Sequence, residues 1–363
     1  MISNRLLLKS IILLILVGFV KQAIGLSMSS TTKYEYQASE SAPLHFPMQI
    51  ISGSLTFSDG SGSLSIPSMK VVANGWGDWR SSHVLDSDEG FSLPNKLELM
   101  FFSFTENQFY KGEFDLPYEK IETLFTNKHY SFVDEEDVTF DQFIIGVTPG
   151  GGVSLWLNAI ERRVEVFSSQ AEKVEGDWMW VVDNPEVKRE EYIKEVIEYE
   201  QRTPEQLEYF KKNGVPFGKW KKYSEARYLW KPVLNNINLR DGLIKSIHYF
   251  NGEKGYIQVS SDKAKSLAVP DQLSIIWNRT GFLVNDLVID VTFDEFEIFS
   301  GFEKLATDSM PIEMEFRMEP ENNYDFTIWL RNEKNNIELK KTKIKTWKPG
   351  GMRYENAGPK DTE

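Results

Sequence analysis

One pattern is written twice in this chain of 363 residues. Leu93-Pro94-Asn95-Lys96-Leu97-Glu98-Leu99-Met100-Phe101 is echoed by Val269-Pro270-Asp271-Gln272-Leu273-Ser274-Ile275-Ile276-Trp277. Each reads as a turn feeding a strand with apolar residues at alternate positions. Downstream, Phe114-Asp115-Leu116-Pro117-Tyr118-Glu119-Lys120-Ile121-Glu122 aligns with Ile289-Asp290-Val291-Thr292-Phe293-Asp294-Glu295-Phe296-Glu297, each a strand that runs into a short helix. Val153-Ser154-Leu155-Trp156-Leu157 with Glu165-Val166-Phe167 matches Phe326-Thr327-Ile328-Trp329-Leu330 with Glu338-Leu339-Lys340, two strands joined by a polar turn. Asp59-Gly60 and Asn251-Gly252 are both flanked by alternating apolar residues, a strong hairpin signal. Blocks recurring in one order read as duplication rather than as chance likeness between strands.

The expected fold is therefore mainly β with some α. Two related antiparallel β-rich modules, sandwich-like or curved-sheet, are joined by a helical segment. The modules span 46–180 and 240–348, too long for the units of a propeller or solenoid. Residues 26–45 form an extended lead-in, 181–239 the bridge, and 349–363 a flexible tail. In the bridge, Asn184-Pro185-Glu186 starts a helix whose apolar face is Tyr192, Ile193, Val196, Ile197 and Tyr199. Thr203-Pro204-Glu205-Gln206 is a capping box for a second helix, stopped by Asn213-Gly214 and Pro216. Lysines 211, 212, 219, 221, 222 and 231 with Arg227 then surround Trp220, Tyr223, Tyr228 and Trp230. That basic aromatic strip either docks on the acidic modules or faces a partner or phospholipid headgroups.

The N-terminus reads as an export signal. Arg5 and Lys9 precede an apolar run from Ile11 to Val20, and Ala23-Ile24-Gly25 supplies small residues for cleavage, giving a signal peptide over 1–25. The run falls short of the ~20 residues that span a bilayer, so an uncleaved anchor is the alternative. The chain has no cysteine, which excludes a disulfide framework, a thiol nucleophile and lipidation at a cysteine. Its formal charge of −13 makes nucleic acid an unsuitable partner and favours a basic protein.

The densest cluster of chemistry is Gly75-Trp76-Gly77-Asp78-Trp79-Arg80-Ser81-Ser82-His83-Val84. It has the residue types of a serine triad, but neighbours on a strand point to opposite faces, and no G-x-S-x-G elbow occurs. The stretch reads first as structural, Trp76 and Trp79 closing the end of a sheet while Arg80 and His83 satisfy backbone groups; as a recognition surface, Trp76, Trp79, Arg80 and His83, together with Trp220 and Tyr223, are the candidate partner-binding residues, and there is no catalytic candidate. His45, His83, His129 and His248 lack metal-ligand spacing, so no metal or cofactor is expected. Asp86-Ser87-Asp88-Glu89-Gly90 lacks the remaining ligands of a calcium loop, and Asp134-Glu135-Glu136-Asp137 reads as a solvated loop. Thr148-Pro149-Gly150-Gly151-Gly152 lacks the lysine and following helix of a phosphate loop and reads as a tight β connection. Among abundant carboxylates nothing selects a glycosidase pair.

These motifs carry a resemblance. Tyr34-Glu35-Tyr36, Ala42-Pro43-Leu44-His45-Phe46-Pro47-Met48, Gly75-Trp76-Gly77 with Ser82-His83-Val84, Phe109-Tyr110-Lys111-Gly112, Pro149-Gly150-Gly151 and Asn213-Gly214-Val215-Pro216-Phe217-Gly218 with Trp220 and Tyr223 together resemble the bacterial family called domain of unknown function 2931. The resemblance implies a Gram-negative envelope protein. Members are often lipoproteins; without cysteine this chain departs from that pattern, which leaves a free periplasmic form or an uncleaved anchor. The resemblance also implies relatives encoded beside antibacterial phospholipase effectors of the type VI secretion system, which would make them periplasmic immunity proteins. The leading expectation is a non-catalytic periplasmic binding protein, with a secreted lipase effector as the implied partner. A structural or scaffolding envelope protein and a carbohydrate or lipid hydrolase are the alternatives.

Overall fold

The computed structural model describes residues 32–83, 90–131, 133–200, 203–235, 243–258, 263–277, 287–306, 310–318, 326–348 and 352–355. The proposed signal peptide and the Asp86–Glu89 turn lie outside the described residues.

The fold is mainly β, in several antiparallel sheets with few helices. In the first half, one sheet runs in the order Glu172–Val174, Gln108–Asp115, Pro94–Ser103, Met48–Phe57, Ser63–Ser65. A second layer runs Arg163–Gln170, Gly152–Asn158, Gln142–Val147, Gln37–Ser41, Ser82–His83. The second half repeats both. Lys343–Lys348, Leu287–Thr292, Pro270–Trp277, Leu243–Tyr249, Lys254–Gln258 match the first layer, and Asn336–Glu338, Phe326–Arg331, Ile312–Met318, Arg227–Asn235, Lys265–Ala268 match the second. In each half the strand that opens it pairs parallel to a later one, Gln37–Ser41 with Gln142–Val147 and Arg227–Asn235 with Ile312–Met318. Among the described strand pairs of each half this is the one parallel pairing in otherwise antiparallel sheets. It also follows that the first half takes in residues assigned to the lead-in, and that the second begins inside the expected bridge.

Alternation explains the packing. Phe143, Ile145, Val153, Leu155 and Leu157 point inward to a core shared with Leu97, Leu99 and Phe101. In the second half Leu273, Ile275, Ile289, Val291, Ile328 and Leu330 do the same. Each half closes its core with one helix after a strand, Tyr118–Thr126 and Glu295–Leu305. Ile121 and Phe125 are buried on the first, Ile298 and Phe302 on the second, one turn apart in each case. The cross-strand register sets Asp115 opposite Lys96 and Thr292 opposite Gln272, so the true correspondence is Asp115 with Thr292 and Ile121 with Ile298. The sequence alignment of this block was therefore out by two residues; it had matched buried Ile121 with Phe296, which is 83% exposed. The Trp–Glu block holds its register: Trp156 lies opposite Glu165 and Trp329 opposite Glu338.

Three helices, Arg189–Glu200, Pro204–Asn213 and Lys219–Glu225, occupy the link. The first starts later than its Pro185 signal and packs Tyr192, Ile193, Val196 and Ile197 on Phe102, Phe104 and Trp178, while Tyr199 faces solvent. Gly214, at φ 69°, ends the second with its N–H on the Phe210 carbonyl. The basic strip docks within the molecule: Lys219 on Glu295 at 2.8 Å, Lys222 on Glu303 at 2.9 Å, Lys231 on Glu313 at 3.4 Å. Met352–Glu355 pairs with Lys343–Lys348, so strand structure reaches into the expected tail. The halves are joined by more than helices. Arg163 pairs with Lys254, and through that bridge the two layers become one sheet of 11 strands. No described helix is long and apolar enough to cross a membrane.

Candidate functional site at the seam between the halves

The seam is made by two glycine turns that meet. Gly77 of the first half and Gly252 of the second have φ of 83° and 82°, a region closed to most residues. A Cβ on Gly77 would lie 2.8 Å from both the Cα and the carbonyl oxygen of Gly252. Only two bare backbones can approach so closely. Around them Trp76 meets Trp156 edge to face at 4.7 Å, and the fully buried Trp156 donates from Nε1 to the Asn251 carbonyl at 3.0 Å. Ser41 braces the first turn, donating to the Gly75 carbonyl at 2.8 Å and accepting from the Gly77 N–H at 3.0 Å.

Beside the turns lies a buried polar network. Arg163, 5% exposed, donates to Asn158, to the Gly252 carbonyl and to Asp78 at 3.1–3.2 Å. Glu253 accepts from the Glu165 N–H and from Arg227, both at 3.1 Å. The Glu165 carboxylate accepts from Ser224 at 2.7 Å and Asn251 at 3.1 Å. Burial pushes the Glu165 carboxyl above the usual carboxylate range, with the Ser224 and Ser154 hydroxyls pulling it back. Burial likewise holds the Lys120 ammonium below its ordinary value, and its Nζ caps the Glu165 carbonyl at 3.0 Å. A general acid or base must have a hydrogen bond to offer a substrate. Here Glu165, Ser224, Arg227, Asn251 and Glu253 bond one another across the seam, and Lys120, Glu165, Ser224, Arg227 and Glu253 also line a cleft of about 680 Å³.

Next to this network a cleft of about 270 Å³ opens. Its walls are Trp76, the Pro149–Gly150 turn, Ser154, Ser168, Phe217 and Trp220, drawn from the first half and the link. Glu106 fixes the turn by accepting from the Gly150 N–H at 2.8 Å and from the Tyr110 hydroxyl at 2.7 Å. Phe46 braces Trp220 edge-on at 5.3 Å. Phe217 stands 63% exposed at the mouth, and the buried Nε1 of Trp76 has no hydrogen-bond partner among the described residues.

Of the residues singled out in the sequence, Trp76 and Trp220 come together, with ring centroids 6.4 Å apart. Trp220 and Tyr223, each 6% exposed, sit one turn apart on the buried face of their helix, and Tyr223 stacks on Phe299 at 5.5 Å. Both rings belong to the second core, and Trp220 also reaches the wall of the cleft. Trp79 is 53% exposed, and Arg80 is exposed with its guanidinium on the Val71 carbonyl. His83 is exposed on a short strand paired with Gln37–Ser41. Ser81 donates to buried Glu40, whose carboxyl burial raises, and no histidine bonds either of them among the described residues. His45 is spent on the backbone, donating to the Glu200 carbonyl at 3.1 Å. No described group of three or more His, Cys, Asp or Glu could hold a metal ion. Sequence reasoning missed Arg163, Asn251 and Glu253; Asn251-Gly252 was visible only as a hairpin, and nothing local shows which distant segment a turn will meet.

A family model described as "Protein of unknown function (DUF2931)" matches residues 22–218. The matched span runs through the first half and ends at Gly218, on the wall of the cleft. No curated protein and no solved structure matches the chain.

Proposed function

The chain belongs to the DUF2931 family, and from that premise we propose that it is a non-catalytic binding protein of the bacterial periplasm. It acts by covering a partner's surface. The observation that carries this reading is the convergence of Trp76, Gly150, Phe217 and Trp220 on one cleft, while the ionisable groups beside it are bonded to one another. An exposed ring at the rim of a small aromatic cleft is the arrangement of a binding hot spot. With a net charge of −13, the chain would capture a basic partner quickly. In its most specific form the partner is a phospholipase effector and the chain is the immunity protein that occludes it.

Protection of cells tests this. A phospholipase encoded beside the gene, directed to the periplasm, should kill cells lacking the chain and spare those producing it, and Phe217→Ala should bind that enzyme about ten-fold more weakly or worse. Failure of the unaltered chain to bind or protect ends the immunity reading. Hydrolysis of lipid or glycan by the purified chain would end the non-catalytic one.

A further inference from the structure

On the other flank of the same joint lies a larger cleft, of about 510 Å³, and its charge is opposite to that of the chain. Arg162, Arg227, Lys231, Lys254, Lys263 and Lys265 line it, with Arg163 at its base. Glu253 is the one acidic residue among the described lining, and that carboxylate is already held by Arg227 and the Glu165 N–H. Arg163 is matched by Asp78 and Lys231 by Glu313. Arg162 rests on the Phe140 ring at 5.7 Å, Lys254 donates to the Ile160 carbonyl at 3.0 Å, and neither has a carboxylate partner among the described ion pairs. Lys263 and Lys265, both exposed, add two more cations. Burial first, then the nearby Arg163 charge, holds the Lys254 ammonium below its ordinary value, with Asp78 and Glu161 pulling it back, so that cations crowd together partly out of water.

Such crowding is unfavourable for the empty protein and favourable once an anion enters, and a cleft with low-dielectric walls focuses that field. The walls supply such a surface: Trp230, Tyr249, Tyr256, Ile257 and Leu267. The volume falls within the range of small-ligand sites. We propose that this cleft is a binding site for a phosphate-bearing ligand, the compact anion whose charge answers several cations at once and whose oxygens match a guanidinium fork. The site is separate from the aromatic cleft and does not depend on the partner-binding reading. A free phosphate ester and a phospholipid headgroup share this chemistry.

The test titrates pyrophosphate into the full mature chain by calorimetry, alongside co-sedimentation with phosphatidylcholine vesicles with and without phosphatidylglycerol. Saturable pyrophosphate binding identifies a soluble ligand class, and binding only to the phosphatidylglycerol vesicles identifies a lipid headgroup. The double variant Lys263→Glu/Lys265→Glu should weaken binding by about ten-fold or more. Lys188→Glu/Lys194→Glu, an equal charge change at exposed positions just before and within the Arg189–Glu200 helix, should leave it unaltered. Absence of binding to both probes overturns the proposal. So does equal weakening by the two double variants, which would reduce the effect to net charge.

Discussion

Trp156 and Trp329 occupy the same place in the two halves, each on the outer face of its layer opposite a glutamate of the next strand. Their surroundings differ. Trp156 is fully buried where the Trp76-Gly77 turn meets Gly252, bonded to the other half through Asn251. Trp329 lies partly open beneath the Arg317 guanidinium, 4.5 Å from its ring. The neighbours change to suit: Gln142, Ile144 and Asn158 in the first half correspond to Glu313, Glu315 and Arg331 in the second. There Glu313 and Glu315 pair with Arg331 and Arg317 at 2.7–3.3 Å. One face has become apolar and amide-lined to receive a neighbour. Its counterpart carries ion pairs instead, with Glu315 only 2% exposed beneath Arg317 and Arg331.

The comparison is sharpest where one position can be altered in both halves. Trp156→Ala should destabilise by about 3–5 kcal/mol in denaturant unfolding, whereas Trp329→Ala should cost about 1 kcal/mol. Equal losses would mean that the joint contributes nothing special. The hairpin glycines come next. Gly252→Ala puts a Cβ 3.0 Å from Gly77 Cα and the Trp76 carbonyl oxygen, and should cost about 2–4 kcal/mol. Gly60→Ala, at the equivalent turn with φ 72° and open space around it, should cost only about 1 kcal/mol.

Asp271 corresponds to Asn95, and each offers its carbonyl to a residue at the strand-to-helix junction, Phe293 and Leu116. Burial, then the Glu295 charge, pushes the Asp271 carboxyl up to about 6. The folded state therefore holds this proton more tightly than the unfolded chain, and the group lowers stability as pH rises from ~4 through about 6. Asp271→Asn, the first half's own choice, should gain up to about 3 kcal/mol above pH ~6 and nothing below pH ~4, read from melting temperature against pH. The smallest effect belongs to the open face. Glu313→Gln/Arg331→Asn, which installs the Gln142–Asn158 pairing, should shift stability by about 1 kcal/mol or less, with weaker dependence on salt.

The legible part of the fold was what repeats locally. Alternation around Leu97 and Leu273, the Trp–Glu blocks and the two hairpin turns all fall where the sequence puts them. The helix block slipped by two because Leu116-Pro117 and Phe293-Asp294 are different solutions to one junction, and polarity alone does not distinguish them. The parallel pairings were illegible because they close about a hundred residues of chain, a distance over which side-chain pattern gives no register. The site was half legible. Its glycines and aromatics stood out as motifs, but Arg163 and Glu253 looked like surface charges, since nothing near them announces burial. Trp220 and Tyr223 stood out as aromatics among lysines, but their burial in the second core was not legible, since the acidic partners Glu295 and Glu303 lie far away in sequence.

The central claim is that the two halves are held as one body by the joint at Trp156. Hydrogen exchange of the Trp156 indole N–H reads this directly, because that proton is bonded across the joint to Asn251. If the claim holds, it exchanges only as fast as the slowest core amides of Gln142–Val147, through global unfolding. Exchange many-fold faster, with those amides still protected, would mean that the halves part in the native state and would contradict the account.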